Sequence, residues 1–235
     1  ASKLAVEAVY RAPQIAERTG WAHHWRGRSH QLRGEADKAA ASYAEAARHH
    51  LGQKESRGLA LARIGEGWAQ LQMGRMDAAD ALTAEALGVS RDLEDQGIEV
   101  LALRERAWLE QQRRNFDGAE ILFTRAANFS SKHDNKRGQG EALLGQAYVS
   151  RRRGELDEAV EIYREAIEVL QEADDLLGVA RAWLGIGTVK RQRCEFEEAE
   201  ELYKRAMAVA EELGATDIVM EARYRIGDVA RRTRD

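Results

Sequence analysis

The chain has 235 residues, 44% hydrophobic and 32% charged, enough for one elongated domain or two small globules with packed cores. Its 36 basic and 40 acidic side chains leave a formal net charge of −4, which argues against a whole-protein electrostatic attraction to nucleic acid. A single cysteine, Cys194, excludes an internal disulfide and suits a reducing, cytoplasmic setting.

The opening residues, ASKLAVEAVYRAP, hold no apolar signal-peptide core, and no apolar run approaches the ~18 residues that would span a bilayer. The absence of an initial Met reads as a segment of something longer. One Pro in the whole chain, far below the usual ~5%, goes with abundant Ala, Glu, Arg and Leu. Both trends predict helix, and no strand-like alternation of useful length occurs. Residues 1–19 are expected to form an N-terminal helix, either a cap or part of a preceding repeat.

From residue 20 a period of 40 residues takes over. GELDEAVEIYREAI at 154–167 returns as CEFEEAEELYKRAM at 194–207. Four small-residue registers hold this period without an insertion. They are Ala22, Ala62, Ala102, Ala142, Ala182 and Ala222; Gly27, Gly67, Ala107, Ala147, Gly187 and Gly227; Ala39, Ala79, Ala119, Ala159 and Ala199; and Ala46, Ala86, Ala126, Ala166 and Ala206. Small residues let helices approach closely. Between the second and third registers lie turns, RGEAD, MGRMD, RRNFD, RGELD and RCEFE. Gly34, Gly74 and Gly154 there suit a left-handed cap, and the turns at Arg114 and Cys194 are expected to shift. Asp37, Asp77, Asp117, Asp157 and Glu197 then stand at an N-cap or first turn. Each unit reads as helix A, tight turn, helix B: five units over 20–219, then a lone helix A or cap over 220–235.

Helix B carries Ala-x3-aromatic in Ala39/Tyr43, Ala119/Phe123, Ala159/Tyr163 and Ala199/Tyr203, with Thr83 breaking the series, and helix A of the fifth unit carries Trp183 and Ile186-Gly187. These residues resemble the tetratricopeptide repeat in the 40-residue style of spindle-orientation adaptors, kinesin light chains and bacterial multidomain signalling ATPases. The family's usual period is ~34, and its closing Pro is missing from every full unit, so one or both helices must be longer. The resemblance implies an all-α, right-handed superhelical solenoid of antiparallel helix pairs, with A helices lining a concave groove.

It also implies that the second, fifth, ninth, twelfth and thirteenth positions of each unit, counted from Gly20, face that groove. The ninth positions include Arg28, Trp68, Trp108 and Tyr148; the fifth include Arg104 and Tyr224; the last two include Arg151, Arg152, Arg191 and Arg231. These ten are the candidate binding residues. Aromatics suit a binding surface, and equally suit packing between A helices. Arg suits capture of a carboxylate, and equally complements a helix C-terminus. The carboxylate clamp of chaperone-binding members needs Lys at the fifth and Asn at the ninth position, and this chain has neither.

Five of the six histidines, His23, His24, His30, His49 and His50, crowd one unit without the convergent set a metal requires. No phosphate loop, dinucleotide fingerprint or nucleophile elbow is present, so no catalytic residue, cofactor or metal is assigned and the chain is expected not to be an enzyme. The expected function is binding of a peptide or protein, with acidic residues among its features, as a scaffold or sensor segment of a larger signalling protein. Competing readings are a small-molecule or pheromone-type sensor, a self-associating array, and an RNA-binding repeat.

Overall fold

In the computed structural model the described residues are 2–51 and 56–233, with side chains described from Glu17 onward. Eleven helices fill them, and no strand occurs among the described residues: α1 (Ser2–Leu32), α2 (Ala36–His50), α3 (Arg57–Gln72), α4 (Met76–Asp92), α5 (Gln96–Gln112), α6 (Phe116–Lys132), α7 (Lys136–Arg153), α8 (Leu156–Glu172), α9 (Leu176–Gln192), α10 (Phe196–Glu212) and α11 (Thr216–Arg232). Odd numbers are A helices and even numbers B helices. α1 is continuous, so residues 2–19 extend the first A helix. The side chains of residues 1–16, which bear on the choice between cap and earlier repeat, lie outside the described residues. No described helix is long and apolar enough to cross a membrane.

The 40-residue period divides into two similar halves. Helices α4 and α8 have 17 residues each, as do α5 and α9, and three residues of turn follow each one. Both helices of a pair therefore share the excess over ~34. Eight of the described turns are closed by a backbone N–H reaching five residues back, as in Arg75 to Gln70 (2.9 Å) and Asp95 to Ser90 (2.9 Å), around one left-handed residue. That residue is glycine at Gly34, Gly74, Gly154 and Gly214 (φ 69–90°). It is not glycine at Glu94, Arg114, Asp134, Asp174 and Cys194 (φ 53–63°). The turns at Arg114 and Cys194 thus keep the left-handed conformation instead of shifting, at a cost of about 1–2 kcal/mol each.

Among the A helices α3, α5, α7 and α9 start on side-chain caps, while α11 begins at Ala215 without one. Ser56, Asp95, Asn135 and Asp175 accept from the N–H three residues on at 2.9–3.0 Å. The B helices lack such caps except at Asn115, which accepts from Gly118 N–H at 3.1 Å. Their acids, Asp37, Asp77, Asp117, Asp157 and Glu197, lie in the first turn, where they complement the helix dipole.

The chain forms two compact units, residues 1–113 with α1–α5 and residues 114–235 with α6–α11. In each, every helix packs on the next in sequence. A helices also touch A helices (α1 with α3, α3 with α5; α7 with α9, α9 with α11), while among the described residues B helices do not reach one another. The A helices are therefore the more closely spaced row of each unit.

Close approach rests on rings seated over bare backbone. Tyr43 lies against Gly27 and Gly65, Phe123 against Gly145, Tyr163 against Gly185, and Tyr203 against Gly187. A Cβ at Gly65 would stand 2.5 Å from the Tyr43 ring, and one at Gly187 2.6 Å from that of Tyr203. The rings are almost fully buried, as are the alanines of all four registers apart from Ala22. Gly227 is the other exposed member of those registers.

A second socket lies in the last turn of helix B. His50 fits between Gly20 and Gly58, and Leu170 between Gly140 and Gly178. Where the flanking residues are larger the central one shrinks: Ser90 accompanies Ala60 and Ile98, and Ala210 packs with Ala180 and Ile218. Volume is conserved across the contact although no single residue is.

Thr83 follows the same logic. Gly65, Gly145 and Gly185 receive a ring, whereas Glu105 holds that register beside Thr83. The two line a cavity of about 10 Å3, barely room for one water. Thr83→Tyr should therefore destabilise the first unit by about 1–3 kcal/mol, with much of the loss recovered on adding Glu105→Gly. A double-mutant cycle in urea showing no coupling would refute this account. Arg114→Gly and Cys194→Gly should each raise stability by about 1 kcal/mol, read as a higher denaturation midpoint at unchanged slope.

Candidate functional site

In the first unit Arg28 lies exposed on α1, its guanidinium 3.4 Å from Gln31 Oε1. Trp68 on α3 is half-buried and packs with Met73 on Ala39, Ala40, Tyr43 and Ala69. It is thus part of the contact between helix pairs. Arg104 and Trp108 on α5 are half-buried.

In the second unit the structure gathers two groups. On α7, the Arg151 guanidinium sits 4.9 Å from the Tyr148 ring centroid, a cation–π contact. Arg152 donates to the Tyr148 hydroxyl at 3.0 Å and approaches the Phe116 ring at 5.9 Å. No carboxylate pairs with Arg151 or Arg152 among the described residues. On α9 and α11, Asp228 collects Arg191 (3.2 Å), Arg231 (3.4 Å) and Arg232 (3.3 Å). Burial alone would raise the Asp228 carboxyl; the hydrogen bond from Arg231 and the charges of Arg232 and Arg191 outweigh it and hold it below its ordinary value. Tyr224 stands apart, 70% exposed on α11.

Other arginines serve the stack. Arg113 reaches back to Asp77 at 3.1 Å, Arg193 to Asp157 at 2.5 Å, and Arg153 to Asp117 and Glu120. Each joins the end of one A helix to the first turn of the previous B helix. The acids are solvent-exposed, so each bridge is worth only about 0–1 kcal/mol and acts chiefly in alignment. Arg153 thus differs in role from its neighbours Arg151 and Arg152.

Two features went unread in the sequence. Arg225 donates to Thr188 Oγ1 at 2.6 Å, pairs with Glu221 and lies 6.0 Å from the Tyr203 ring centroid. Its signal was its place in the register of Gly65, Gly145 and Gly185. The outer face of α6 carries an open depression of about 610 Å3, lined by Ile121, Arg125, Phe129 and Lys132 among others. Its signal was Ile121, 68% exposed, where later B helices have Glu161 and Glu201.

The histidines are engaged in ring contacts. His23 stacks on His49 (5.4 Å, 11°), and His24 and His50 each meet Trp21 edge-on at 5.5 Å. His50 is 1% exposed, and neither of its ring nitrogens has a hydrogen-bond partner.

Residues 138–235 match the tetratricopeptide repeat family. Over those residues the chain carries repeats of tetratricopeptide type. No curated protein sequence matches the chain. Among solved structures the repeat array is similar to aspartyl phosphate phosphatase F from Bacillus subtilis, at 15% identity and TM-score 0.74 over 95% of this chain and 59% of that one. It is similar to the Rap conjugation gene regulator of plasmid pLS20, solved in complex with the Phr* peptide, at 14% identity and TM-score 0.75 over 86% of this chain and 56% of that one. It is also similar to the signal transduction ATPase with a tetratricopeptide repeat sensor from Pyrococcus horikoshii, at 14% identity and TM-score 0.69, covering 97% of this chain and 34% of that one. The array therefore spans less than two thirds of each of these proteins. Identities so low establish the shared fold alone.

The buried histidines give the first unit a pH dependence. Burial, together with the charge of His49, pushes His50 below its ordinary 6.5, against an opposing pull from Glu17. Burial lowers His23 and His24 likewise. The unfolded chain then binds more protons, so stability is full above pH 6.5 and falls as pH drops below it. His50→Leu, which copies the Leu170 socket, should stabilise the unit and flatten that fall. Urea titrations at pH 7.5 and 5.5 check it, and an equal loss in wild type and variant would refute it.

Proposed function

We propose that the chain is a binding segment for a peptide or protein surface, recognised along the A-helix row by aromatic and basic side chains. One observation carries this reading: Arg151 and Arg152 flank Tyr148 without a carboxylate partner, whereas Arg113, Arg153 and Arg193 are committed to the stack. Arg152 is exposed and commits one nitrogen to the Tyr148 hydroxyl, which leaves the rest of its guanidinium open to a carboxylate. The fitting ligand is an extended or helical segment with an apolar anchor next to acidic residues. Arg231 and Arg232, 68% and 56% exposed with one carboxylate shared among three arginines, extend the basic character within the same unit.

Similarity to a regulator solved with a peptide, and to an ATPase whose repeats are named a sensor, supports a peptide-binding or sensing role without fixing it. A small-molecule pocket at Trp68 has less support, because the cavity beside that ring holds about 10 Å3. No catalytic role is proposed for any residue.

The test is a peptide array pairing one aromatic or branched anchor with one to four acidic residues, scored by fluorescence anisotropy. Tyr148→Ala should weaken the best binder by about 2 kcal/mol. Arg151→Glu/Arg152→Glu should slow association and abolish the preference for acid, whereas Arg164→Glu on the outer face of α8 should leave both unchanged. Equal binding by all three variants would remove the site from α7.

A further inference from the structure

The outer face of α6 breaks a pattern that the next B helix keeps. On α8 one stripe carries Glu161, Glu165, Glu168 and Glu172, all exposed to solvent. Forty residues earlier the same four places on α6 hold Ile121, Arg125, Asn128 and Lys132, also exposed. Steps of four, three and four residues put each set on one side of its helix. On α6 an apolar residue has entered the stripe and the sign of its charge has reversed. The two acids of α6, Asp117 and Glu120, are both held by Arg153 of α7, which leaves the sign of the face to Arg125 and Lys132.

A single exposed isoleucine needs no partner. Ile121, 68% exposed, shares an open depression of about 610 Å3 with Phe129, whose ring leans on that of His133 at 4.5 Å between centroids. Thr124 between them accepts from Gln146 Nε2 at 2.7 Å, so its hydroxyl is already served. The depression follows α6 from Glu120 to Lys132, about 18 Å at ~1.5 Å per residue. A trough of that length along one helix suits an elongated occupant laid beside it.

We propose that this face docks one amphipathic helix of another protein, with acidic and apolar residues alternating along its contact edge. Ile121 and Phe129 are two turns apart, so the occupant brings two apolar anchors about seven positions apart. Arg125 lies between them and Lys132 one turn beyond Phe129, so one acid belongs between the anchors and one outside them. The helix dipoles set the direction. Acids favour the first turn of a helix, whose own end is positive, and Lys132 stands at the negative, carbonyl end of α6. The occupant therefore runs antiparallel to α6: a first-turn acid at Lys132, an anchor on Phe129, an acid at Arg125 and an anchor on Ile121. A second copy of this chain fits less well, because the stripe of α8 brings acids without anchors and leaves Ile121 uncovered. The face belongs to a B helix, so the proposal stands independently of the α7 site.

The probe is a displayed library of helical peptides of about 16 residues, with acidic, basic and apolar residues varied along one face, panned on the intact chain. Ile121→Glu and Lys132→Glu read the face without threatening the fold, because α8 and α10 already carry Glu161 and Glu201, and Glu172 and Glu212, at those places. Circular dichroism and melting should be unchanged in both. Enriched peptides are expected to read acid, apolar, acid, apolar in that order. Their binding by anisotropy should fall at least about tenfold on Ile121→Glu and stay unchanged on Tyr148→Ala. Lys132→Glu should turn the preferred first-turn residue from acidic to basic. The proposal is overturned if no enriched peptide is lost on Ile121→Glu, or if those lost show no preference for acid. Light scattering that finds the chain dimeric, and monomeric on Ile121→Glu, would assign the face to a second copy and equally overturn the partner helix.

Discussion

An aromatic ring resting on glycine is the contact from which the rest of each unit follows. Helix axes normally stand 8–10 Å apart, with the distance set by the side chains between them. Here the A side contributes no side chain at the crossing, and the B side contributes Tyr43, Phe123, Tyr163 or Tyr203. Glycine inside a helix costs about 1 kcal/mol relative to alanine. Burying a whole ring returns about 1.5–3 kcal/mol, so the exchange is favourable. It also fixes direction: a ring fits one notch, and sliding by a residue drives it onto a Cβ. The alanine registers then follow, because helices so close leave room for nothing larger beside the ring.

Much of this was legible because it is periodic. Alanine, glycine and aromatic registers declare themselves by recurrence, and they place every helix pair. The turns were less legible. Arg114 and Cys194 have no intrinsic taste for positive φ, and the sequence read alone suggested that those turns would shift. The helices on both sides are anchored by their registers, so the turn must close with whatever residue occupies it. The same holds at Glu94, Asp134 and Asp174, where the half-period of the fold hides behind acidic side chains. Thr83 read as an exception until Glu105 was seen beside it; compensation across a contact is invisible one position at a time.

The candidate site was legible in kind and not in detail. Arg151, Arg152 and Arg153 are indistinguishable as sequence, all in the last turn of α7 and all suited to its dipole. What separates them is which side of the helix each occupies. Arg153 turns to Asp117 and Glu120, Arg152 to the hydroxyl of Tyr148, and Arg151 to its ring. The separation of 36 residues that pairs Arg153 with Asp117 repeats in Arg113 with Asp77 and Arg193 with Asp157. A search for opposite charges at a constant offset would have found the ladder and left Arg151 and Arg152 as the remainder.

Departures from the repeat carry the individuality of the chain. The register that receives the ring is glycine at Gly65, Gly145 and Gly185, but Trp25, Glu105 and Arg225 also occupy it. At Glu105 the receiving ring has gone and Thr83 replaces it. At Arg225 the ring of Tyr203 remains, and the guanidinium lies over it while bonding Thr188 and Glu221. A planar cation can lie on a ring's face without displacing the ring. This changes what α11 is. Its inner side is secured by polar bonds and stacking as well as burial, while its outer side keeps glycine at Gly227.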